Sequence, residues 1–218
     1  MGLVRRSETE SAAQAAWEEN NPPEERRGRN RDLPALVVQL NGGDSEARRR
    51  AALDLGEHAD GGAALVARVS VETDPAVRDA VLTQLSRLDT VEVATGLLPH
   101  LSSDDAALRN AVVTALAAMP TAMPGIVPSL LVDPDPDVRI LTIMVVAALR
   151  VPEVEEWLSW LITNDAHANV VACAVSELVP LAGPEAIDVL EGVPARFPAD
   201  PFLGYTVKTA VARLRSAA

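Results

Sequence analysis

One short motif returns along the chain at a nearly constant spacing, and no other feature limits the fold as tightly. Asp135-Pro-Asp-Val-Arg139 matches Asp74-Pro-Ala-Val-Arg78, Asp105-Ala-Ala-Leu-Arg109, Asp44-Ser-Glu-Ala-Arg48 and, with Asn in place of Arg, Asp165-Ala-His-Ala-Asn169. The anchor positions 48, 78, 109, 139 and 169 are separated by 30, 31, 30 and 30 residues. A period of that length kept through five copies is the mark of a repeat array. A degenerate sixth copy, Asp200-Pro-Phe-Leu-Gly204, follows 35 residues on. Terminal repeats are expected to be atypical.

Each copy reads as two helices. A short apolar segment, such as LPALVVQL or VEEWLSWLI, is followed by a polar turn and then a longer apolar-rich run. The turn aspartate is placed to accept backbone N–H groups at the start of the second helix, and Pro75 and Pro136 suit its first turn. Negative charge there also complements the helix dipole. The almost unbroken apolar run Ile140 to Leu149 is therefore expected to be the second helix of the fourth repeat, buried by its neighbours. It is too short to span a bilayer, which needs roughly 20 apolar residues. A helix pair of this size cannot bury its apolar face alone, so the pairs must stack.

Composition agrees with close helix packing. Hydrophobic residues make up 48% of the 218, but aromatics only 3%, so the core must be built from Ala, Val and Leu. The net charge of −12 lies wholly on residues 32–218, because residues 1–31 hold six Arg and six Glu. Such an acidic body argues against general nucleic-acid binding. A single cysteine, Cys173, excludes an intramolecular disulfide and points to a reducing compartment. The first residues lack the apolar stretch of a signal peptide, and Arg6 breaks the myristoylation pattern. A cytoplasmic protein with no membrane association is expected.

The repeated D-P-D-V-R and D-P-A-V-R motifs, Leu85 and Leu116 seven residues after their arginines, and Pro34, Pro99 and Pro128 near the first helices resemble the HEAT repeat family. The likeness is to its short repeats of about 30 residues, found in phycobilisome lyase-type proteins. It covers residues 32–218. The resemblance implies an all-α, right-handed solenoid of about six stacked helical hairpins, with the second helices lining a concave face. It also implies a structural ladder between adjacent repeats, formed here by Asp44/Arg48, Asp74/Arg78, Asp105/Arg109 and Asp135/Arg139 and weakening at Asn169.

On that face one trend stands out. Just after the anchor the five copies read Arg49, Asp79, Asn110, Ile140 and Val170; four residues on they read Leu53, Thr83, Thr114, Met144 and Ala174. The change toward apolar residues places Ile140, Met144, Ala147, Val170 and Ala174 either in an exposed protein-binding patch or beneath the last repeat. Trp157 and Trp160, three apart on one helix, are likewise candidates for core packing or for an interface. Residues 1–31 read as a flexible charged tail with a short helix around Trp17, which docks on a partner or caps the first repeat.

No catalytic constellation emerges. His58, His100 and His167 are far apart, and no Cys/His cluster has zinc-ligand spacing. The His-Glu pairs of the HEAT-like deoxyhypusine hydroxylases are absent, Glu57-His58 being in reverse order, and the basic groove of the HEAT-like DNA glycosylases does not suit this charge. Cys173, in VVACAVSEL, reads as a packed residue. Asn41-Gly42-Gly43 lacks the lysine of a phosphate loop. The expectation is a non-catalytic adaptor, assembly factor or regulatory subunit, without cofactor, that binds a protein with a basic or mixed basic and apolar surface. The alternative implied by the resemblance is a chaperone-like lyase that helps attach a bilin or similar cofactor to a partner protein.

Overall fold

A computed structural model describes residues 32–217. The reading of residues 1–31 as a tail, with Trp17 in it, lies outside the described residues. Those residues fold into an all-α solenoid, without strands. The first three repeats are α1 (Leu33–Gly42) with α2 (Ser45–Leu55), α3 (Gly62–Val69) with α4 (Pro75–Leu88), and α5 (Val91–Leu97) with α6 (Ala106–Ala117). The fourth pairs α7 (Val127–Leu130) with α8 (Pro136–Ala148), and the fifth α9 (Val154–Asn164) with α10 (Ala168–Leu178). The last has α11 (Ile187–Glu191), α12 (Val193–Arg196) and the long α13 (Pro201–Ala217).

The second helices form one continuous row in which α2, α4, α6, α8, α10 and α13 each pack on the next. The row of first helices is more broken, and proline explains why. Pro99 lies in a 3-10 turn at Leu98–Ser102, Pro124 in another at Met123–Gly125, and Pro128 near the start of the four-residue α7. Proline lacks the N–H that an interior helical turn requires, so these segments stay short.

One core runs through the array, lined by small aliphatics such as Leu36, Leu55, Leu85, Leu116, Ile143, Leu158 and Val175. Glycine permits a close approach between two first helices. A Cβ on Gly96 would come within 2.6 Å of a Val66 methyl, so α5 lies directly against α3. Asp89 ends α4 in the left-handed region, at φ 42°, a conformation Asp tolerates better than most residues. From there its carboxylate accepts the N–H groups of Thr121, at 2.9 Å, and Ala122, also at 2.9 Å, tying the second repeat to the chain that enters the fourth.

Candidate functional site

The repeat's polar residues divide into two jobs, and the division differs from the expected ladder. Asp44, Asp74, Asp105 and Asp135 are N-caps of α2, α4, α6 and α8, each accepting N–H groups from the helix's first turn. The residue two before the cap accepts the N–H of the cap itself. Glu72, Ser103 and Asp133 do this for Asp74, Asp105 and Asp135, and Asp165 does it for His167. The anchor arginines then hold the turns. Arg48, Arg78, Arg109 and Arg139 donate to the carbonyls of Gly43, Glu72, Ser103 and Asp133 in their own repeats.

Three of these arginines also reach the next repeat. Arg48 makes a two-pronged pair with Glu72, 2.9 Å on each prong, and Arg139 does so with Asp165, at 2.7 and 3.1 Å. Arg78 meets Asp105 at 3.1 Å. The rungs at Arg48 and Arg139 thus run to the acid two residues before the next cap, and the rung at Arg78 to the cap itself, where Ser103 stands in the earlier position. Asp44, Asp74 and Asp135 make no rung among the described residues, which corrects the expected pairing; each caps its own helix through Oδ1, whereas Asp105 caps with Oδ1 and takes Arg78 on Oδ2. Arg109 makes none either. Glu72 is the most heavily used acid, because Arg68 joins it at 2.7 Å. Burial alone would raise its pKa, but Arg48, the N–H of Asp74 and Arg68 outweigh that and hold it down at about 2.

The fifth repeat departs from the expected register. The N-cap of α10 is His167 rather than Asp165. Successive caps at 44, 74, 105, 135 and 167 are therefore 30, 31, 30 and 32 residues apart. The two extra residues carry Val170 into the slot of Val138 and Ala174 into that of Thr142, both facing inward. Val170 and Ala174 are accordingly 0% exposed, so neither belongs to a surface patch. The slots of Ile140 and Met144 are taken in this repeat by Ala172, which is buried, and by Ser176, which is exposed. With the slip, Asp165 becomes the buried acid two before the cap and the partner of Arg139. Asn169 is exposed and makes no rung among the described residues; the contact across this junction runs the other way, Arg196 donating from the last repeat to the carbonyls of Ile162 and Asp165.

What remains of the proposed patch lies in the fourth repeat. Met144 is 46% exposed, and Ile140 and Ala147 are half-buried beside it on α8. Ile140 also lines a recess of about 400 Å³ between α6 and α8, at the junction where Arg109 makes no rung. Arg109 and the carboxylates of Asp104, Asp135 and Asp137 rim it, and Leu101 and Leu141 line its apolar side. The recess combines acid at its rim with apolar surface beneath; Asp104 and Asp137 lie outside the repeated positions, and only the fold brings them to it. The two tryptophans separate. Trp157 is in the core and Trp160 is exposed, because three residues along a helix turn a side chain by about 60° from its neighbour's direction.

The chemistry of the remaining groups is quiet. Among the described residues no three His, Cys, Asp or Glu side chains gather as metal ligands would. Burial raises the pKa of the half-buried Cys173 thiol, with a lesser push from Glu177, which disfavours the reactive thiolate. Burial also lowers that of His100.

A family model for HEAT repeats matches residues 33–117 and 123–195, and the chain belongs to the HEAT repeat family. Comparison with curated proteins gives no match. Among solved structures, the archaeal HEAT-like repeats protein from Thermococcus onnurineus NA1 is similar, at 15% identity and a TM-score of 0.42, over 84% of this chain and 87% of that one. An engineered protein is similar at 18% identity and a TM-score of 0.40, over 85% and 99% of the two chains. The complex of CpcE and CpcF of phycocyanin lyase from Nostoc sp. PCC7120 follows at 16% and 0.36, over 86% and 96%. Among the described residues no helix is long and apolar enough to cross a membrane.

Proposed function

We propose that the protein is a non-catalytic adaptor, assembly factor or regulatory subunit that binds another protein along the row of second helices. The observation that carries this reading is the recess between α6 and α8, with three carboxylates at its rim and Ile140, Leu141 and exposed Met144 beside it. An apolar anchor ringed by charge is the arrangement that gives an interface both affinity and orientation. The acids, together with a net charge of −12, favour a partner whose contact surface is basic or mixed basic and apolar. Trp160 is a further contact on the first-helix side, and Trp17 one outside the described residues. The alternative role in bilin or cofactor attachment has the short-repeat resemblance as its support.

The test is retention of proteins from native lysate by the full chain and by a triple variant, Asp104→Lys, Asp137→Lys and Met144→Asp. All three side chains are exposed, so helicity by circular dichroism should be unchanged. A stoichiometric partner held by the parent at moderate salt and reduced at least tenfold on the variant is expected. Equal retention by both would remove this face from the account.

A further inference from the structure

The last repeat carries a second docking groove of opposite character. It lies between α10 and α13, measures about 330 Å³, and is lined by Val175, Val179, Phe202, Tyr205, Thr209 and Arg213, among others. It is the furrow found between α4 and α6 in the same register, with different walls. Counted from their caps, Thr209 and Arg213 take the slots of Thr114 and Ala118, and Val179 that of Ser86. Phe202 and Tyr205 replace Ala107 and Asn110 and stand 68% and 70% exposed. All the Phe and Tyr residues of the chain lie between positions 197 and 205. α13 is also basic, with Lys208, Arg213, Arg215 and no acid. Arg215 is paired to Glu191 at 2.6 Å, whereas Lys208 and Arg213 have no ion pair among the described residues. An aromatic groove with a spare cation suits an acidic segment with an aromatic anchor.

The chain contains one such segment. Residues 7–25 carry six Glu and no Arg or Lys, with Trp17 among Ala12, Ala13 and Ala16. We propose that the groove of one copy takes residues 7–21 of a second copy, with Trp17 against Phe202 and Tyr205 and the glutamates toward Arg213. Reach favours two copies. Fifteen residues separate Trp17 from Asp32, about 50 Å when fully extended. Five helix steps of roughly 8–10 Å lie between α2 and α13, so a chain meets its own groove only at full stretch.

The experiment uses full-length Trp17→Ala protein, whose own segment cannot compete, and a fluorescein-labelled peptide of residues 7–21. Saturable anisotropy is expected, weakened at least tenfold by Tyr205→Ser and by Arg213→Glu in the protein or by Trp17→Ala in the peptide. Both protein substitutions are at exposed positions and should leave the melting temperature unchanged. Light scattering on the parent chain should show a mass that rises above the monomer with concentration, and Trp17→Ala should abolish the rise. Absence of peptide binding at hundreds of micromolar, or equal binding by the Tyr205→Ser protein, would overturn the proposal. A parent chain that stays monomeric at every concentration would overturn it as well.

Discussion

The junction between the first and second repeats and that between the third and fourth each place an arginine and an acid in the same two slots and end differently. At the first, Glu72 gathers Arg48, Arg68 and the N–H of Asp74 and is closed from solvent. At the other, Arg109 is in the slot of Arg48 and Asp133 in that of Glu72, yet Arg109 holds only its own turn and a recess of about 400 Å³ opens beside it. One junction is stapled shut, and the other leaves polar groups and apolar surface open. A repeat array can therefore close some junctions and leave others open by making its rungs at some and leaving them out at others.

Breaking the stapled junction should have the largest effect. Glu72→Ala leaves two arginines facing a buried void and is expected to cost about 3–5 kcal/mol, read as a lower urea midpoint at unchanged slope. Acid should act on the same group. Its pKa is depressed in the fold, from 4.5 to about 2, so its contribution is complete above 4.5 and is lost as the pH falls toward and through 2. That contribution is on the order of 3 kcal/mol. Urea midpoints of the parent should fall over this window more steeply than those of Glu72→Gln. The register slip sharpens the contrast further. Val170→Ala removes core methyls and should cost about 2 kcal/mol, whereas Met144→Ala, on the open face, should cost under about 0.5. Arg109→Met loses the hydrogen bond to the Ser103 carbonyl and nothing across the junction. With no rung to lose it should move the urea midpoint far less than Arg139→Met, which strands the buried Asp165.

The period of the motif was enough to read the solenoid, the helix pairs and the caps of the first four second helices. It was also enough to place Met144 and Ile140 on the second-helix face. The rung partners were harder to read. Glu72 and Asp165 sit two residues before a cap, where their use depends on which side chain of the previous repeat arrives, and a motif aligned on its aspartate hides that position. In the fifth repeat the aspartate itself misled. Asp165 matches the motif, but α10 starts two residues later, so Val170 and Ala174 turn inward. The buried pattern of Val138, Thr142, Ile143 and Val146 recurs in Val170, Ala174, Val175 and Leu178, and aligning apolar positions instead of the motif would have exposed the slip. The groove on α13 left one trace in the sequence, the clustering of Phe197, Phe202 and Tyr205. Their exposure required the packing of α13 on α10.

Hydrogen exchange of the full chain, alone and with the protein it retains from lysate, tests most directly that the unstapled junction is the docking site. Protection on binding is expected at residues 101–110 and 135–148, with little change around the Glu72 junction. Protection confined to the first helices, with residues 101–110 and 135–148 exchanging as in the free chain, would contradict it.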